Sequence, residues 1–312
     1  MRTLTAAAIA AMTLLSTPLA SAPAQDSARN DLEQLLQMAD TRRREYVETF
    51  KDLTGVETRL TELIDRNGRT EKQRKLISDF LVYRSELGDQ GVAEYRIARE
   101  VDGKTVSNSA EDAIKVFQRL ASARTLAQQS ERLKDANLKY ALGYAFWGGT
   151  LQPFGVVRKE VRPDIQFSIA GREQQGGREA IVVSYRSKDL KPADGQRGLV
   201  RYFKKPRSGV RGRAWLDAQD GRLRRWEHEL IAVDQTVTTP LAYVHDQTDY
   251  EPSSFGILTP TRIVASFFKK IDEKNAPSSM RLVARITVTY DAFKRFEVTT
   301  DTDIHQPEPA KQ

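Results

Sequence analysis

One hairpin sets the terms for this chain. Residues 212–230 run through Trp215 and Leu216 into Asp217, Asp220 and Gly221, then return through Leu223, Trp226 and Leu230. Aspartate bonds its own backbone and glycine accepts positive φ, so this turn has a mechanism. Such a hairpin belongs to a large antiparallel sheet. The same pattern repeats from Val156 onward. Candidate strands over 164–170, 180–186, 198–203, 212–216, 223–233, 242–250, 259–268, 280–289 and 296–300 are separated by turn residues at short, regular spacing, as in a meander. Residues 171–177, 194–198 and the basic stretch 204–213 read as loops. In the hairpin, Asp217 and Asp220 read as turn residues, and Arg222, Arg224 and Arg225 as solvent-facing charges.

The first half is mixed. Residues 26–53 carry Leu32, Leu35, Leu36, Ala39, Tyr46, Val47, Phe50 and Leu53 at spacings of three and four, the stripe of an amphipathic helix. The period then changes to two over 56–64, and Asn67-Gly68 turns the chain into a return strand over 75–84. A third strand spans 92–101. Residues 107–142 read as an inserted helical segment, capped by Ser109 with Glu111 and Asp112 in its first turn. Tyr140, Tyr144, Phe146, Trp147 and Phe154 follow as the most aromatic stretch, either a core plug beneath the sheet or one wall of an apolar cavity.

The ends give an address. Met1 to Thr3 form a charged start, residues 4–15 an apolar run, and 16–24 a small-residue region: the pattern of a secretory signal peptide over 1–24, cut after Ala24. The apolar run is shorter than the roughly 20 residues a spanning helix needs. The expected mature unit is therefore a soluble single domain over 25–304, with a disordered tail at 305–312. No cysteine occurs, which excludes disulfides, thiolate chemistry and a cysteine-linked lipid anchor. Export without cysteine points to a bacterial periplasmic or secreted protein. That address argues against nucleic acid as the partner of the +7 net charge.

A helix, long strands, a helical insertion and more strands describe an α+β fold: a large curved antiparallel sheet, or half-open barrel, with helices covering its concave face. The order resembles the periplasmic lipoprotein-carrier fold of LolA and LolB, through the N-terminal helix and the Ala214–Arg225 hairpin. A closer resemblance is to secreted acidobacterial-type proteins of that architecture. It rests on the hairpin, Arg99 to Lys104, Gly256 to Pro260 and Tyr290 to Val298. The resemblance implies a fold and a carrier's cargo, a lipid or lipidated protein, and no reaction.

No stretch names a reaction. There is no Gly-x-Ser-x-Gly elbow, and Ser266 to Lys269 matches Ser-x-x-Lys inside a strand without partner motifs. His228, His245 and His305 lack metal-ligand spacing, so neither metal nor cofactor is implied. A strongly curved sheet has a concave face too wide for its own side chains to fill. The candidate apolar ligand face is Phe80, Tyr95, Tyr140, Phe146, Trp147, Phe154, Trp215 and Trp226. Alternation alone does not say which of these point inward, because a shift of one residue flips the set. Lys204, Lys205, Arg207 and Arg211 are either a solvated loop or a contact for an anionic membrane surface. The expectation is a non-catalytic carrier; the alternative is an envelope scaffold with a filled core.

Overall fold

Period-two alternation builds one sheet. The computed structural model describes residues 22–50, 53–84, 92–106, 122, 124–125, 128, 139–144, 150, 154–193, 203–234, 237–271 and 279–295. Helix α1 spans Ala22–Phe50 and so begins just upstream of the expected cut. The strands are β1 (Leu53–Ile64), β2 (Thr70–Arg84), β3 (Val92–Val101), β4 (Lys104–Thr105), β5 (Ile165–Gln175), β6 (Arg178–Ser187), β7 (Lys191–Pro192), β8 (Arg207–Asp217), β9 (Leu223–Asp234), β10 (Val237–Pro252), β11 (Leu258–Ile271) and β12 (Ser279–Arg295). All pairings are antiparallel, in the order β4-β3-β2-β1-β12-β11-β10-β9-β8-β6-β5, with β7 on β8. The two ends do not pair, so the sheet is open.

Two meanders make up this order. They meet where β1 pairs β12, Glu57 opposite Tyr290 and Thr61 opposite Ile286. That one join places the N-terminal strands, which follow α1 directly, beside the C-terminal one. Alpha-helical residues Leu35, Leu36, Ala39, Tyr46 and Phe50 are buried on one face of the sheet, the inner face. Phe80, Ile263, Ile286 and Val288 come from β2, β11 and β12 to meet them. Short 3₁₀ turns at Gly155–Val157 and Arg162–Asp164 add Phe154, Val156 and Val157 to the same core.

Gly221 is where the helix and the hairpin fit together. Its φ of +71° closes the β8–β9 turn, and a Cβ there would lie 2.9 Å from Cβ of Met38 in α1. A side chain at 221 would strain the turn and push on the helix. Glycine here seats α1 on the hairpin as well as reversing the chain.

Several expectations change. The segment 204–213 is not a loop: β8 begins at Arg207, and only Lys204 and Lys205 lie in the preceding bend. Strand β5 runs on to Gln175, leaving a turn of Gly176 and Gly177 alone. The expected strands over 198–203 and 296–300 fall almost entirely outside the described residues, apart from Phe203, which sits in a bend. Most of the expected helical cover over 107–142 also lies outside them. The cover of the inner face that is described consists of α1 and the 154–164 turns. Among the described residues no helix is long and apolar enough to cross a membrane.

Candidate functional site

The site is built where α1 crosses the β8–β9 and β10–β11 turns. A narrow cavity there is lined by Ala39 and Tyr46 of α1, Phe154, Leu216, Tyr250 and Leu258. About 40 Å³ of it is open to a water-sized sphere, room for water and far below the roughly 300–1,000 Å³ of small-molecule sites. Arg42, Arg43 and Arg222 ring the mouth. Each is engaged: Arg42 Nη1 donates to Glu45 at 2.6 Å and its Nε to the Asp220 carbonyl at 3.1 Å, Arg43 pairs Asp40 at 3.0 Å, and Arg222 faces Asp220 at 3.7 Å.

Aromatic rings lead inward from the cavity. Tyr46 meets Tyr250 edge-on at 6.3 Å and stacks on Phe50 at 4.9 Å. Phe50 touches Phe80 at 5.9 Å, and Phe80 meets Tyr290 at 5.3 Å. The Tyr46 hydroxyl is buried without a partner, while Tyr290 is hydrogen-bonded to Glu57 and Tyr250 to Thr248. Burial raises the pKa of all three phenols, so they are neutral at physiological pH.

Behind the rings runs a buried chain of charges on β1 and β3. Arg59 Nη2 donates to Glu57 at 2.8 Å, Arg96 Nε to the other Glu57 oxygen at 2.6 Å, and Arg96 Nη2 to Glu94 at 2.8 Å. The Thr150 N–H donates to the remaining Glu94 oxygen at 2.9 Å, and its hydroxyl does the same. Burial pushes the Glu57 carboxyl up, but Arg96 and Arg59 outweigh that and hold it below its ordinary value. Two polar atoms remain unmet here, Ser78 Oγ and Arg59 Nε. Ser78 lies opposite Glu57 in the β1–β2 pairing.

A second polar group sits further along the same face. Trp226 Nε1 donates to the Tyr185 hydroxyl at 2.7 Å, which lies 2.9 Å from His228 Nδ1 and 3.0 Å from the Glu227 carbonyl it donates to. Burial, helped by His245, lowers the His228 pKa to about 4, so its ring is neutral. Asp246 stands opposite His228 in the β9–β10 register, and burial raises its pKa to about 7. Its Oδ1 has no partner. No group of three or more metal-ligating side chains occurs among the described residues.

The outer face is different in kind. A polar trough of about 590 Å³ is lined by Arg186, Arg211, Arg213, Glu227, Glu229 and His245, among others. Arg213 pairs Glu227 at 2.7 Å, Arg211 pairs Glu229, and His245 faces Glu229 at 3.7 Å. Its charges answer one another, as on a solvated sheet face.

The structure separates the residues picked from sequence. Phe80, Phe154 and Trp226 belong to the inner-face core. Trp215 does not: Ala214 and Leu216 take the inner face, and Trp215 turns outward between Arg213 and Arg225, each 5.0 Å from its ring. Tyr95 is buried but lies out of phase with Glu94 and Arg96, so it too points away from them. Tyr140 is half-buried, and its carbonyl accepts from Arg74 at 3.3 Å. Phe146 and Trp147 lie outside the described residues. Lys204, Lys205, Arg207 and Arg211 are all exposed; Arg207 also donates to the Leu190 carbonyl at 2.6 Å, and Arg211 pairs Glu229. Arg224, read as solvent-facing, is buried against Asp217 at 2.7 Å. Glu57, Glu94 and Arg96 were not singled out; alternating charges on a strand signal a wet face as readily as an internal ion chain.

No protein-family model matches the chain. No curated protein matches it either. Among solved structures, it is similar to a domain from Vibrio parahaemolyticus described as outer membrane lipoprotein-sorting, at 11% identity, covering 87% of this chain and 96% of that one, with a TM-score of 0.38. It is similar to a DUF1329-family protein from Desulfovibrio piger at 11% identity, covering 87% and 94%, with a TM-score of 0.32. A LolA-superfamily protein from Nitrosomonas europaea aligns at 12% identity over 85% and 94%, with a TM-score of 0.29. At these identities and TM-scores the likeness carries no activity, ligand or partner over to this chain.

Proposed function

We propose that this chain is an exported, non-catalytic periplasmic carrier that holds a lipid or lipidated ligand between α1 and the inner face of the sheet. The supporting observation is the cover itself. Helix α1 lies over an open sheet through side-chain contacts, Tyr46 and Phe50 on its rings and Met38 on Gly221, and leaves an apolar-walled cavity beneath it. Such a helix can lift without breaking a strand pairing. Lifting it exposes Phe80, Tyr250, Leu216 and Leu258 as one continuous apolar floor. The test is titration of the purified full chain with N-phenylnaphthylamine, a dye that brightens in apolar surroundings. The carrier binds it saturably, and Ala39→Trp, which fills the cavity, abolishes binding.

The small free volume favours a second reading, a scaffold whose core α1 already fills. That reading predicts no saturable dye signal in either protein.

A further inference from the structure

The sheet ends differently on its two sides. At one end lies β4, two residues long, where the chain has just turned at Asp102 and Gly103. At the other lies β5, eleven residues from Ile165 to Gln175. Its backbone pairs β6 on one side, and among the described residues no strand pairs the other. A long free edge is a row of unpaired donors and acceptors, which folded proteins usually shorten or guard with proline or lysine. Strand β5 carries neither. It holds Ile169 instead, at 44% the most exposed large apolar side chain among the described residues. Ala170 beside it is exposed too.

A bulge decides what this edge can pair with. Ile169 stands opposite Val183 and Gly171 opposite Val182, so Ala170 is one residue too many. Before it, Ile165, Phe167 and Ile169 take the inner face; after it, Arg172 and Gln174 do. A bulge ordinarily disturbs a ladder. Two copies that meet at their bulges absorb it, because the extra residue then falls at the two-fold axis between them. In that antiparallel register Ile169 meets Ala170 of the second copy, Ser168 meets Gly171, Phe167 meets Arg172, Gln166 meets Glu173 and Ile165 meets Gln174. Every opposed pair shares a face, whereas a slip of one or two residues sets inner against outer beside the axis. Arg172 and Glu173, the only charges on β5, meet no like charge. Arg172 lies against the Phe167 ring, as a cation on an aromatic face. Gln166 Oε1 already accepts from Arg186 at 2.9 Å and Glu173 Oε2 from Trp215 at 2.8 Å, which leaves an amide donor and a carboxylate oxygen for each other.

We propose that β5 is a docking edge for a second copy of this chain, joined antiparallel about a two-fold between Ile169 and Ala170. The two sheets then run on as one, with both inner faces on the same side. The inference does not depend on what the cavity beneath α1 holds.

Two measurements on the full chain test it. Sedimentation velocity should give twice the mass of one chain at micromolar concentration. Ile169→Lys sets a lysine from each copy beside the axis, at a position already exposed in the single chain, and should raise the dimer's dissociation constant about ten-fold or more. The chain has no cysteine, so Gln174→Cys carries one spin label per copy. Gln174 of one copy faces Ile165 of the other, nine residues along the strand from that copy's own Gln174, so the two labels should lie about 30 Å apart. A single-chain mass at every concentration up to about 100 μM, or an Ile169→Lys dimer as tight as the wild type, overturns the proposal. So does a label separation outside roughly 25–35 Å, which would place the contact elsewhere or in another register. If Ile169→Lys does not fold, the label separation carries the test.

Discussion

Two aspartates on opposite faces of the sheet respond to burial in opposite ways. On the outer face at the hairpin, Asp217 accepts from Arg224 at 2.7 Å, from Arg178 at 2.9 Å and from the Gln219 N–H at 3.0 Å. Burial pushes its carboxyl up, yet those partners outweigh burial and keep it below its ordinary value. On the inner face Asp246 is half-buried, its carboxyl meets its own backbone N–H, and burial still lifts it to about 7. Two aspartates in one sheet thus move in opposite directions because one faces two arginines and the other no counter-charge.

The contrast breaks first at Asp217. Asp217→Ala leaves Arg224 buried without its counter-charge, and should cost about 3 kcal/mol or more in urea unfolding. A loss under 1 kcal/mol would mean the hairpin pair is ornamental. Asp246 should behave in reverse. Its folded state keeps a proton that the unfolded chain releases between its ordinary 3.8 and about 7. Stability therefore falls as pH rises through that window and is level above it. Asp246→Asn removes that slope and should stabilise the protein at pH 8 by on the order of 2–4 kcal/mol, with no gain near pH 3.5. Equal gains at both pH values would contradict a titrating carboxyl.

The tyrosines sharpen the same comparison at smaller scale. Tyr185→Phe strips Trp226 Nε1 of its acceptor and should cost about 1–3 kcal/mol. Tyr46→Phe removes an unmet hydroxyl and should be neutral or slightly stabilising. Matching losses at both positions would show that Tyr46 has a structural partner. Smallest of all, Arg211→Ala on the outer trough should change stability by about 1 kcal/mol or less, as exposed ion pairs do.

How far the sequence reached follows from which interactions are local. Turn chemistry at Asn67-Gly68 and Asp220-Gly221 placed two hairpins, and period-two alternation placed most strands. The inner and outer faces stayed hidden, since Trp215 and Trp226 look alike until register puts Trp226 opposite Ala214 and Trp215 opposite Arg225. The stretch 204–213 reads as a loop on its run of basic residues, yet β8 begins at Arg207. Gly212 is in fact a strand glycine: a Cβ there would fall 2.4 Å from the Tyr185 hydroxyl, so its bareness admits that ring to the Glu227 carbonyl. The Glu57–Arg96 pair joins residues 39 apart across β1 and β3. No local pattern predicts such a pair, and the unmet Ser78 hydroxyl beside it is a property of packing alone.

The central claim is that a lipid occupies the space beneath α1. Native mass spectrometry of the full chain, purified without detergent from cells that export it, tests this most directly. The account predicts a lipid-sized adduct that organic solvent releases and that is missing from the Ala39→Trp protein. A wild-type chain with no adduct, or an adduct retained equally by Ala39→Trp, would contradict it.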